Sequence, residues 1–355
     1  MINKKNILFL PGDGIGPEVS SEAEKVLVHI SKLHEIDLEI SKMLVGGIAI
    51  DQEGSPISKE TLEIAKKADA IFLGGVGGPK WDALKPSLKP EKGLLKLRSE
   101  LDLFANLRPS MSFQGLEDSS SLKKEIIENL DILIVRELTG GIYFGNPREI
   151  NAESAFNTMI YSTNEVERIA EVAFEAAMKR NKKICSVDKA NVLEVSEFWR
   201  KIMIKVSKKY PEVILEHMLV DNAAMQLVQN PKQFDVIVSS NLFGDILSDI
   251  SSVLSGSIGM LPSASLNSAS KGLYEPVHGT APDIAGKSIA NPLASILSIG
   301  MMFKYSFSQE DISIKIENAV KKVISDGYVT KDIAVNNSKV VSTQEMGDLI
   351  IANLN

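Results

Sequence analysis

The sequence has little cysteine, little arginine and no long apolar run. Cys185 is the only cysteine in 355 residues, so no internal disulfide can form and we expect a reducing, cytoplasmic compartment. No apolar stretch reaches the roughly 20 residues that cross a bilayer, and the run that ends at Pro11 is too short for a secretory signal. A net charge of −7 argues against a nucleic-acid partner and favours a soluble enzyme.

Arginine supplies only seven of the 39 basic residues, so its positions are informative. Arg98, Arg108 and Arg136 lie close together in the chain, on or beside predicted strands. The planar guanidinium group binds a carboxylate at two points, which lysine cannot do. The cluster therefore suits a small substrate with two carboxylates. Three independent structural ion pairs are the alternative.

The length and the apolar pattern predict an α/β protein. A chain of 355 residues exceeds a typical single core, so two domains are expected. Short apolar runs at 6–10, 70–73, 131–135 and 184–187 are typical of buried parallel strands. Residues 164–180 have the pattern of an amphipathic helix.

Two aspartates lie four residues apart in the stretch SSNLFGDILSDI, residues 239–250. If Asn241 caps a helix, Asp245 and Asp249 share one helical face, where like charges repel. A hard divalent cation such as Mg²⁺ or Mn²⁺ would reverse that penalty, because it binds carboxylate oxygens. A solvated acidic face is the alternative. Asp221, which follows another predicted strand, could simply cap the next helix.

Two glycine-rich segments follow predicted strands. The first segment resembles a phosphate-binding loop in its glycines, Gly12, Gly14 and Gly16. The dinucleotide fingerprint, however, needs its last glycine further along the chain than Gly16, and none stands there. This argues against an ordinary Rossmann fold. The second segment, GGVGGPKW at 74–81, lets a ligand or another backbone approach closely, unless it is only a flexible loop.

Other polar residues lie where ligands commonly bind. Lys189 follows a predicted parallel strand, and Tyr143 lies among glycines, although a packing role is common for tyrosine. Residues 273–292 are predicted to form one long loop, and long ordered loops are usually functional. In that loop His278 could stack on an aromatic base, and Asp283 could accept both hydroxyls of a ribose.

Five motifs together resemble one family: GGVGGPKW, LRSELDLFANLRP, RELTGGIYFGNPRE, SVDKANVL and NLFGDILSD. They occur in the order found in β-decarboxylating dehydrogenases, the isocitrate/isopropylmalate dehydrogenase family, and the similarity covers nearly the whole chain. The resemblance implies a two-domain α/β fold with a large mixed, mostly parallel sheet flanked by helices. Residues 1–103 and 256–355 would form the first domain. Residues 104–255 would form the second, with the dimer interface, an arm near 143–162 and the metal-binding aspartates.

The resemblance also implies roles for individual residues. Arg98, Arg108 and Arg136 would bind substrate carboxylates, Tyr143 would be the acid, Lys189 the base, and Asp221, Asp245 and Asp249 the metal ligands, with Asp221 also near the substrate. The nicotinamide side of the cofactor site would be Gly74, Gly75, Val76, Gly77, Gly78 and Pro79. The cofactor loop would contribute Glu275, His278, Gly279, Thr280, Ala281, Pro282, Asp283, Ile284 and Asn291. Lys189 and Asp221 would come from the partner subunit of an obligate homodimer with shared active sites.

Specificity within the family is expected to depend on Glu91, Leu94, Leu95 and Val192. Leucine side chains make an apolar pocket that fits an isopropyl group and rejects a further carboxylate, which would lose its hydration there. The expected reaction is oxidative decarboxylation of (2R,3S)-3-isopropylmalate to 4-methyl-2-oxopentanoate and CO2, in leucine biosynthesis. The same chemistry on isocitrate, homoisocitrate, tartrate or malate is the nearest alternative.

The cofactors expected are NAD and Mg²⁺ or Mn²⁺. Asp283 favours NAD because an acid binds the ribose hydroxyls and repels a 2′-phosphate. Two alternatives come from other classes of protein. A nucleotide-dependent phosphotransferase would need a lysine directly after the glycines, and GIGPEVS has none. A non-catalytic binding protein would not need Lys189, Tyr143 and the aspartates together. No nucleic acid or membrane partner is expected.

Overall fold

The computed structural model describes residues 4–354, which divide into two compact units. The first contains the chain up to Leu103, Phe113–Ser120 and the chain from Gly256; the second contains Phe104–Ser112 and Ser121–Ser255. The segment Phe113–Ser120 therefore differs from the expectation that 104–255 would form one domain. Phe113 and Leu116 are buried, and Gly115 packs beside Ile324 of the first unit.

The first unit has five strands in its main sheet, in the order β2-β1-β3-β12-β11. All neighbouring pairs are parallel except β11 and β12. Numbered along the whole chain, its strands are β1 Lys5–Leu10, β2 Leu38–Lys42, β3 Ala70–Leu73, β11 Pro262–Leu266, β12 Gly272–Pro276 and the short pair β13 Tyr328–Val329 and β14 Lys339–Val340. Its helices are α1 Gly16–Leu33, α2 Gly47–Glu53, α3 Lys59–Lys67, α4 Glu91–Glu100, α10 Leu293–Tyr305, α11 Glu310–Ser325 and α12 Thr343–Ala352.

The second unit has the strand order β4-β5-β10-β8-β9, in which only β4 and β5 pair antiparallel. Its strands are β4 Ala105–Met111, β5 Asp131–Glu137, β8 Lys183–Asp188, β9 Ile214–Leu219, β10 Val236–Ser239 and the separate hairpin β6 Glu149–Ile150 and β7 Ala155–Phe156. Its helices are α5 Lys124–Ile127, α6 Thr163–Met178, α7 Glu194–Ser207, α8 Val220–Gln229 and α9 Asn241–Ser255. The predicted α/β class, with mixed and mostly parallel sheet flanked by helices, is confirmed.

Buried apolar residues explain why the central strands form. Every residue of β3 and of β10 is buried, as expected for parallel strands that are covered on both faces. Burying one such aliphatic side chain contributes about 1.5–3 kcal/mol relative to leaving it in water. Helix α10 is buried along most of its length, which is why its sequence is apolar on all sides.

Two expectations about local structure were wrong. Residues 273–292 are not a continuous loop, because their first part completes β12, where buried side chains favour a strand. Asn241 is the first residue of α9, but its side chain is hydrogen-bonded elsewhere and does not cap the helix. Among residues 4–354, no helix is long and apolar enough to cross a bilayer.

Candidate active site

Four neighbouring strands of the second unit bring polar residues to one edge of its sheet. Strands β5, β10, β8 and β9 are parallel, so their carboxyl ends lie along the same edge. Arg136 lies near the end of β5, Lys189 directly follows β8, and Asp221 lies in the first turn of α8 after β9. Helix α9, with Asp245, begins just after β10.

Asp245 is the centre of one group of contacts. Its carboxylate accepts hydrogen bonds from Arg136 Nη1, from Arg108 Nη1 at 3.4 Å and from Tyr143 Oη at 2.9 Å. Arg108 Nη1 also donates to Ser248 at 2.6 Å and lies 3.6 Å from the Asp249 carboxylate. Two of the predicted substrate arginines, the predicted acid and one predicted metal ligand are therefore in direct contact.

Tyr143 is held in its protonated form. It lies in a 3₁₀ turn, Gly141–Tyr143, with the side chain partly buried. Burial raises the pKa of Tyr143, and the negative charge and hydrogen bond of Asp245 raise it further, against the opposing effect of the two arginines. A phenol that keeps its proton at neutral pH is suited to donate it to a substrate atom of developing negative charge.

Asn241 is a residue of this site that sequence reasoning missed. Its side-chain oxygen accepts hydrogen bonds from Arg136 Nε at 3.0 Å and Nη2 at 2.7 Å, and its amide nitrogen donates to the carbonyls of Leu138 and Gly140. Its position in NLFGD next to the aspartates is the available signal, but an asparagine at the start of a predicted helix is also typical of a helix cap. Only the fold shows that it faces β5.

Lys189 and Asp221 form a second group. Lys189 Nζ donates to Asp221 Oδ1 at 2.5 Å, and this hydrogen bond is the main reason why the pKa of Asp221 is lowered. Asp221 is exposed, while Lys189 is partly buried. Both residues were predicted to act together, and the structure places them in one pair within a single chain.

The carboxylates of the second unit fit a divalent metal only in part. Asp245 and Asp249 lie on one face of α9 and supply hard oxygen donors, as Mg²⁺ and Mn²⁺ require. The pKa of Asp249 is raised by desolvation, and the charge of Asp245 raises it further, against the opposing effect of Arg108 and Arg136. In residues 4–354 no group of three acidic, histidine or cysteine side chains is arranged around one metal position. The described residues of one chain therefore do not by themselves complete the predicted three-aspartate site.

Arg98 belongs to the first unit, where α4 places it against β12. Its Nη2 donates to Glu275 at 2.8 Å, and both side chains are buried. The Nε of Arg98 is buried without an acceptor among the described residues. A buried guanidinium donor without an acceptor is costly, and a substrate carboxylate would satisfy it.

The predicted specificity residues lie in both units. Glu91, Leu94, Leu95 and Arg98 have the i, i+3, i+4, i+7 spacing that places them on one face of α4. Leu94 packs partly against the apolar core of the first unit, and Leu95 is also partly buried. Val192 follows β8 in the second unit and is 64% exposed.

A buried aspartate organises the glycine-rich loops of the first unit. Asp13 accepts hydrogen bonds from the backbone nitrogens of Gly47 at 2.7 Å, Ile48 at 2.8 Å and Gly77 at 2.8 Å. Its own nitrogen donates to the carbonyl of Gly75 at 2.9 Å. This is a second residue that sequence reasoning missed, because a glycine-rich turn by itself indicates only a close approach of the backbone.

The close approach of these loops requires glycine. A Cβ on Gly12 would lie 1.8 Å from the carbonyl oxygen of Gly75, and one on Gly14 would lie 2.1 Å from that of Thr280. Ile15 N donates to the same Thr280 carbonyl at 2.8 Å. The PGDG turn therefore holds the Gly74–Pro79 segment and the start of the cofactor loop in place.

The predicted cofactor loop offers both buried and exposed groups. His278 is buried, its Nδ1 contacts the carbonyl of Gly279, and its Nε2 has no partner among residues 4–354. Burial lowers the pKa of His278, so the ring is neutral and suited to stack on a base. Gly279, Pro282 and Asp283 are exposed, whereas Ala281 and Ile284 pack against Ile15 and Val19. The amide of Asn291 donates to Asp332 at 3.1 Å.

These loops fit a dinucleotide. The exposed carboxylate of Asp283 is a group that the hydroxyls of a ribose would engage, whereas His278 Nε2 is buried and has no partner among the described residues. Four of the six residues of the Gly74–Pro79 segment are glycines, which have no side chain. Backbone of this kind allows a flat ring to approach closely.

Comparison with known proteins assigns the family. A family model described as isocitrate/isopropylmalate dehydrogenase matches residues 6–350. Proteins named 3-isopropylmalate dehydrogenase from Hydrogenovibrio crunogenus and Saccharophagus degradans are 60% and 58% identical, each over 99% of both chains. The chain therefore belongs to the isocitrate/isopropylmalate dehydrogenase family, and the resemblance found in its motifs is confirmed.

Solved structures agree with this assignment. The isocitrate dehydrogenase of Methylococcus capsulatus has a TM-score of 0.87 at 33% identity, with 99% of each chain covered. A β-decarboxylating dehydrogenase of Thermococcus kodakarensis has a TM-score of 0.81 at 34% identity, covering 99% of this chain and 96% of that one. The predicted fold, which differs from an ordinary Rossmann fold, is confirmed.

Proposed function

We propose that this protein oxidatively decarboxylates (2R,3S)-3-isopropylmalate to 4-methyl-2-oxopentanoate and CO2 with reduction of NAD⁺, in leucine biosynthesis. The observation that carries the proposal is the contact of Tyr143, Arg108 and Arg136 with the single carboxylate of Asp245. This group combines an acid, two carboxylate-binding cations and a metal-binding side chain. The high identity to two proteins named 3-isopropylmalate dehydrogenase supports the choice of substrate.

The chain's own residues have distinct roles in this reaction. Arg98, Arg108 and Arg136 bind the two carboxylates and fix the substrate, which makes the reaction effectively unimolecular. Lys189 accepts the proton of the C2 hydroxyl as C2 is oxidised. The C3 carboxylate then leaves as CO2, its bonding electrons remain on C3, and Tyr143 donates the proton that C3 gains.

Two groups would supply the remaining chemistry when bound: NAD⁺ would be the acceptor for the hydride of C2, and Mg²⁺ or Mn²⁺ would be the Lewis acid for the C2 oxygen. Asp245 and Asp249 would hold the cation together with Asp221. The loops around Gly75, His278 and Asp283 would hold the dinucleotide. The partly buried leucines of α4 favour an apolar substrate group, because a further carboxylate there would be desolvated without a partner.

The active form is a cytoplasmic homodimer with shared sites. Lys189 and Asp221 pair with each other, and one chain brings no third acidic residue to Asp245 and Asp249 among residues 4–354. The third ligand and the base would then come together from the second copy. The exposed apolar residues Ile150 and Phe156 of the β6–β7 hairpin are suited to an interface between copies.

Substrate choice is tested by following NAD⁺ reduction by absorbance with Mg²⁺ and 3-isopropylmalate, isocitrate, homoisocitrate, tartrate or malate. We expect clear preference for 3-isopropylmalate. Preference for another acid would support the proposed reaction type and overturn the proposed substrate. Absence of reduction with all five acids, in protein that is folded by circular dichroism, would overturn the function.

Shared sites are tested by subunit complementation. Lys189→Ala and Asp245→Asn should each be nearly inactive alone. In a shared site, the mixed dimer contains one intact site and one doubly defective site. Mixing and refolding equal amounts should restore about a quarter of the wild-type activity. A mixture as inactive as the two variants would place both residues in one subunit's site.

A further inference from the structure

Asn241 makes five hydrogen bonds from a fully buried position at the start of α9. Its oxygen accepts from two nitrogens of Arg136, its amide nitrogen donates to the carbonyls of Leu138 at 2.9 Å and Gly140 at 3.0 Å, and its backbone nitrogen donates to Tyr161 Oη at 2.8 Å. The oxygen faces only donors and the amide nitrogen faces only acceptors. This pattern fixes the orientation of the amide.

These contacts determine the plane of the Arg136 guanidinium. Nε and Nη2 form one edge of that group, and Asn241 binds this edge at two points. The guanidinium is planar, so fixing one edge also fixes the direction of Nη1, which contacts Asp245. Arg136 is only 2% exposed, and a Cβ on Gly244 would meet its side chain at 2.9 Å, so the stem is confined as well.

The same side chain anchors the turn that carries Tyr143. The carbonyls of Leu138 and Gly140 lie at the start of the Gly140–Gly141 turn. A Cβ on Gly140 or Gly141 would lie 2.8 Å or 2.5 Å from Tyr161 atoms, so the turn packs directly on the tyrosine that binds the Asn241 backbone. Asn241 is thus hydrogen-bonded both to Arg136 and to the turn that carries Tyr143, and both of these residues contact Asp245.

We propose that Asn241 is a positioning residue of the enzyme: it sets the Arg136 guanidinium and the Tyr143 turn in register for a dicarboxylate substrate. It acts through these two residues and not on the substrate itself. The identity of the substrate rests on the proposed function, whereas the hydrogen bonds to Arg136 and to the turn do not.

Asparagine is required at this position because it offers both an acceptor and two donors. Serine cannot reach both partners, so Arg136 would lose its fixed edge. Aspartate keeps the acceptors but places a carboxylate against two carbonyl oxygens. It would also neutralise Arg136 at the edge formed by Nε and Nη2. The two substitutions therefore separate the two halves of the proposed role.

The first test is steady-state kinetics of Asn241→Ser and Asn241→Asp with 3-isopropylmalate and NAD⁺. We expect KM for the acid to rise about tenfold or more, because Asn241→Ser loses the charge-assisted contact to Arg136 and Asn241→Asp neutralises Arg136, while KM for NAD⁺ changes by less than about twofold. The matched control is Asn267→Asp in the first unit. Asn267 also donates to a carbonyl, that of Leu101, and accepts from the nitrogens of Ala269 and Lys271. The Asn267→Asp variant should have a lower Tm and an unchanged KM for the acid.

The second test uses no substrate. Protein labelled with ¹⁵N-arginine contains only seven arginines, so its side-chain Nε–H spectrum is simple. Arg136→Lys identifies the Arg136 signal. In the wild type this buried, hydrogen-bonded proton should exchange slowly with solvent, and in Asn241→Ser the signal should shift and exchange at least about tenfold faster.

The outcomes separate this proposal from the proposed function. An unchanged Arg136 signal in folded Asn241→Ser would overturn the positioning role, and so would equal rises in KM for the acid and for NAD⁺. If the wild-type protein oxidises none of the acids, the proposed function fails, and the spectrum alone decides the role of Asn241. If Asn241→Ser does not fold, Asn241→Asp is measured instead. Its acceptor keeps the Arg136 signal near its wild-type position, while KM for the acid still rises.

Discussion

Tyr143 Oη donates a 2.9 Å hydrogen bond to Asp245 Oδ2, so the acid and a metal ligand of the proposed reaction are in direct contact. The contact explains how Tyr143 keeps its proton, since the negative charge of Asp245 raises the pKa of the phenol beyond the effect of burial. A cation on Asp245 would weaken this effect and make the phenol a better proton donor. The proposed acid would thus be tuned by the same carboxylate that is proposed to bind the metal.

Replacing Asp245 with asparagine should nearly abolish metal-dependent turnover. The change removes a proposed metal ligand and the charge that Arg108 and Arg136 share, so we expect kcat to fall about 10²-fold or more. Circular dichroism and Tm should show a folded protein. Activity close to the wild-type value at saturating Mg²⁺ would remove Asp245 from the metal site.

Replacing Tyr143 with phenylalanine should slow decarboxylation more than hydride transfer. The variant keeps the ring but has no proton to deliver to C3, and general acids contribute about 10²-fold or more. Single-turnover experiments can follow NADH formation and CO2 release separately. If both steps slow by the same factor, Tyr143 acts before the carbon–carbon bond breaks.

Replacing Asp13 with asparagine should weaken cofactor binding through the loops that Asp13 holds. It accepts three backbone hydrogen bonds, so we expect a loss of about 2–4 kcal/mol in the free energy of unfolding and about tenfold in KM for NAD⁺. Asp235→Asn is the matched control. That buried aspartate binds Arg180 and the Asn181 nitrogen in the second unit, and its loss should lower Tm without changing KM for NAD⁺.

Replacing His217 with glutamine should reduce the sensitivity of stability to acid. Burial and the nearby Arg200 lower the pKa of His217 from 6.5, against the opposing effect of Asp188. Below about pH 6.5 the unfolded chain binds a proton that the folded chain excludes, so the wild type loses stability as the pH falls.

The measurement for His217 is Tm of both proteins between about pH 8 and pH 5. Near pH 8 His217 is neutral in both the folded and the unfolded chain. Any difference in Tm between the two proteins at that pH therefore reports packing alone. We expect the Tm of the variant to rise relative to that of the wild type as the pH falls. A constant difference across the range would show that His217 does not contribute.

Replacing Leu95 with serine should relax the preference for an apolar substrate. Leu95 is a cleaner test than Leu94, because Leu94 also packs against the core of the first unit. Removing apolar surface from a specificity pocket costs about tenfold or more in kcat/KM for 3-isopropylmalate relative to isocitrate or malate. An unchanged ratio would place the isopropyl group elsewhere.

Much of the fold could be predicted from local pattern. The strand Ala70–Leu73 was predicted with its observed bounds, and β5 and β8 to within about two residues. Buried parallel strands are short apolar runs between turn residues, so the signal is local. The segment Phe113–Ser120 was misassigned because its membership in the first unit depends on contacts with residues far along the chain, such as Ile324.

The sequence by itself determined the chemistry available: three arginines near one another, a tyrosine among glycines, a lysine after a strand, and two aspartates on one helical face. Each of these follows from residue type and spacing. Only the tertiary structure decided how they combine. Asn241 faces Arg136 because β10 pairs with β5, and Asp13 holds Gly47 and Gly77 because three loops converge on it. Hydrogen bonds between residues distant in the chain leave no periodic trace in the sequence, so the packing of the strands was needed to reveal them.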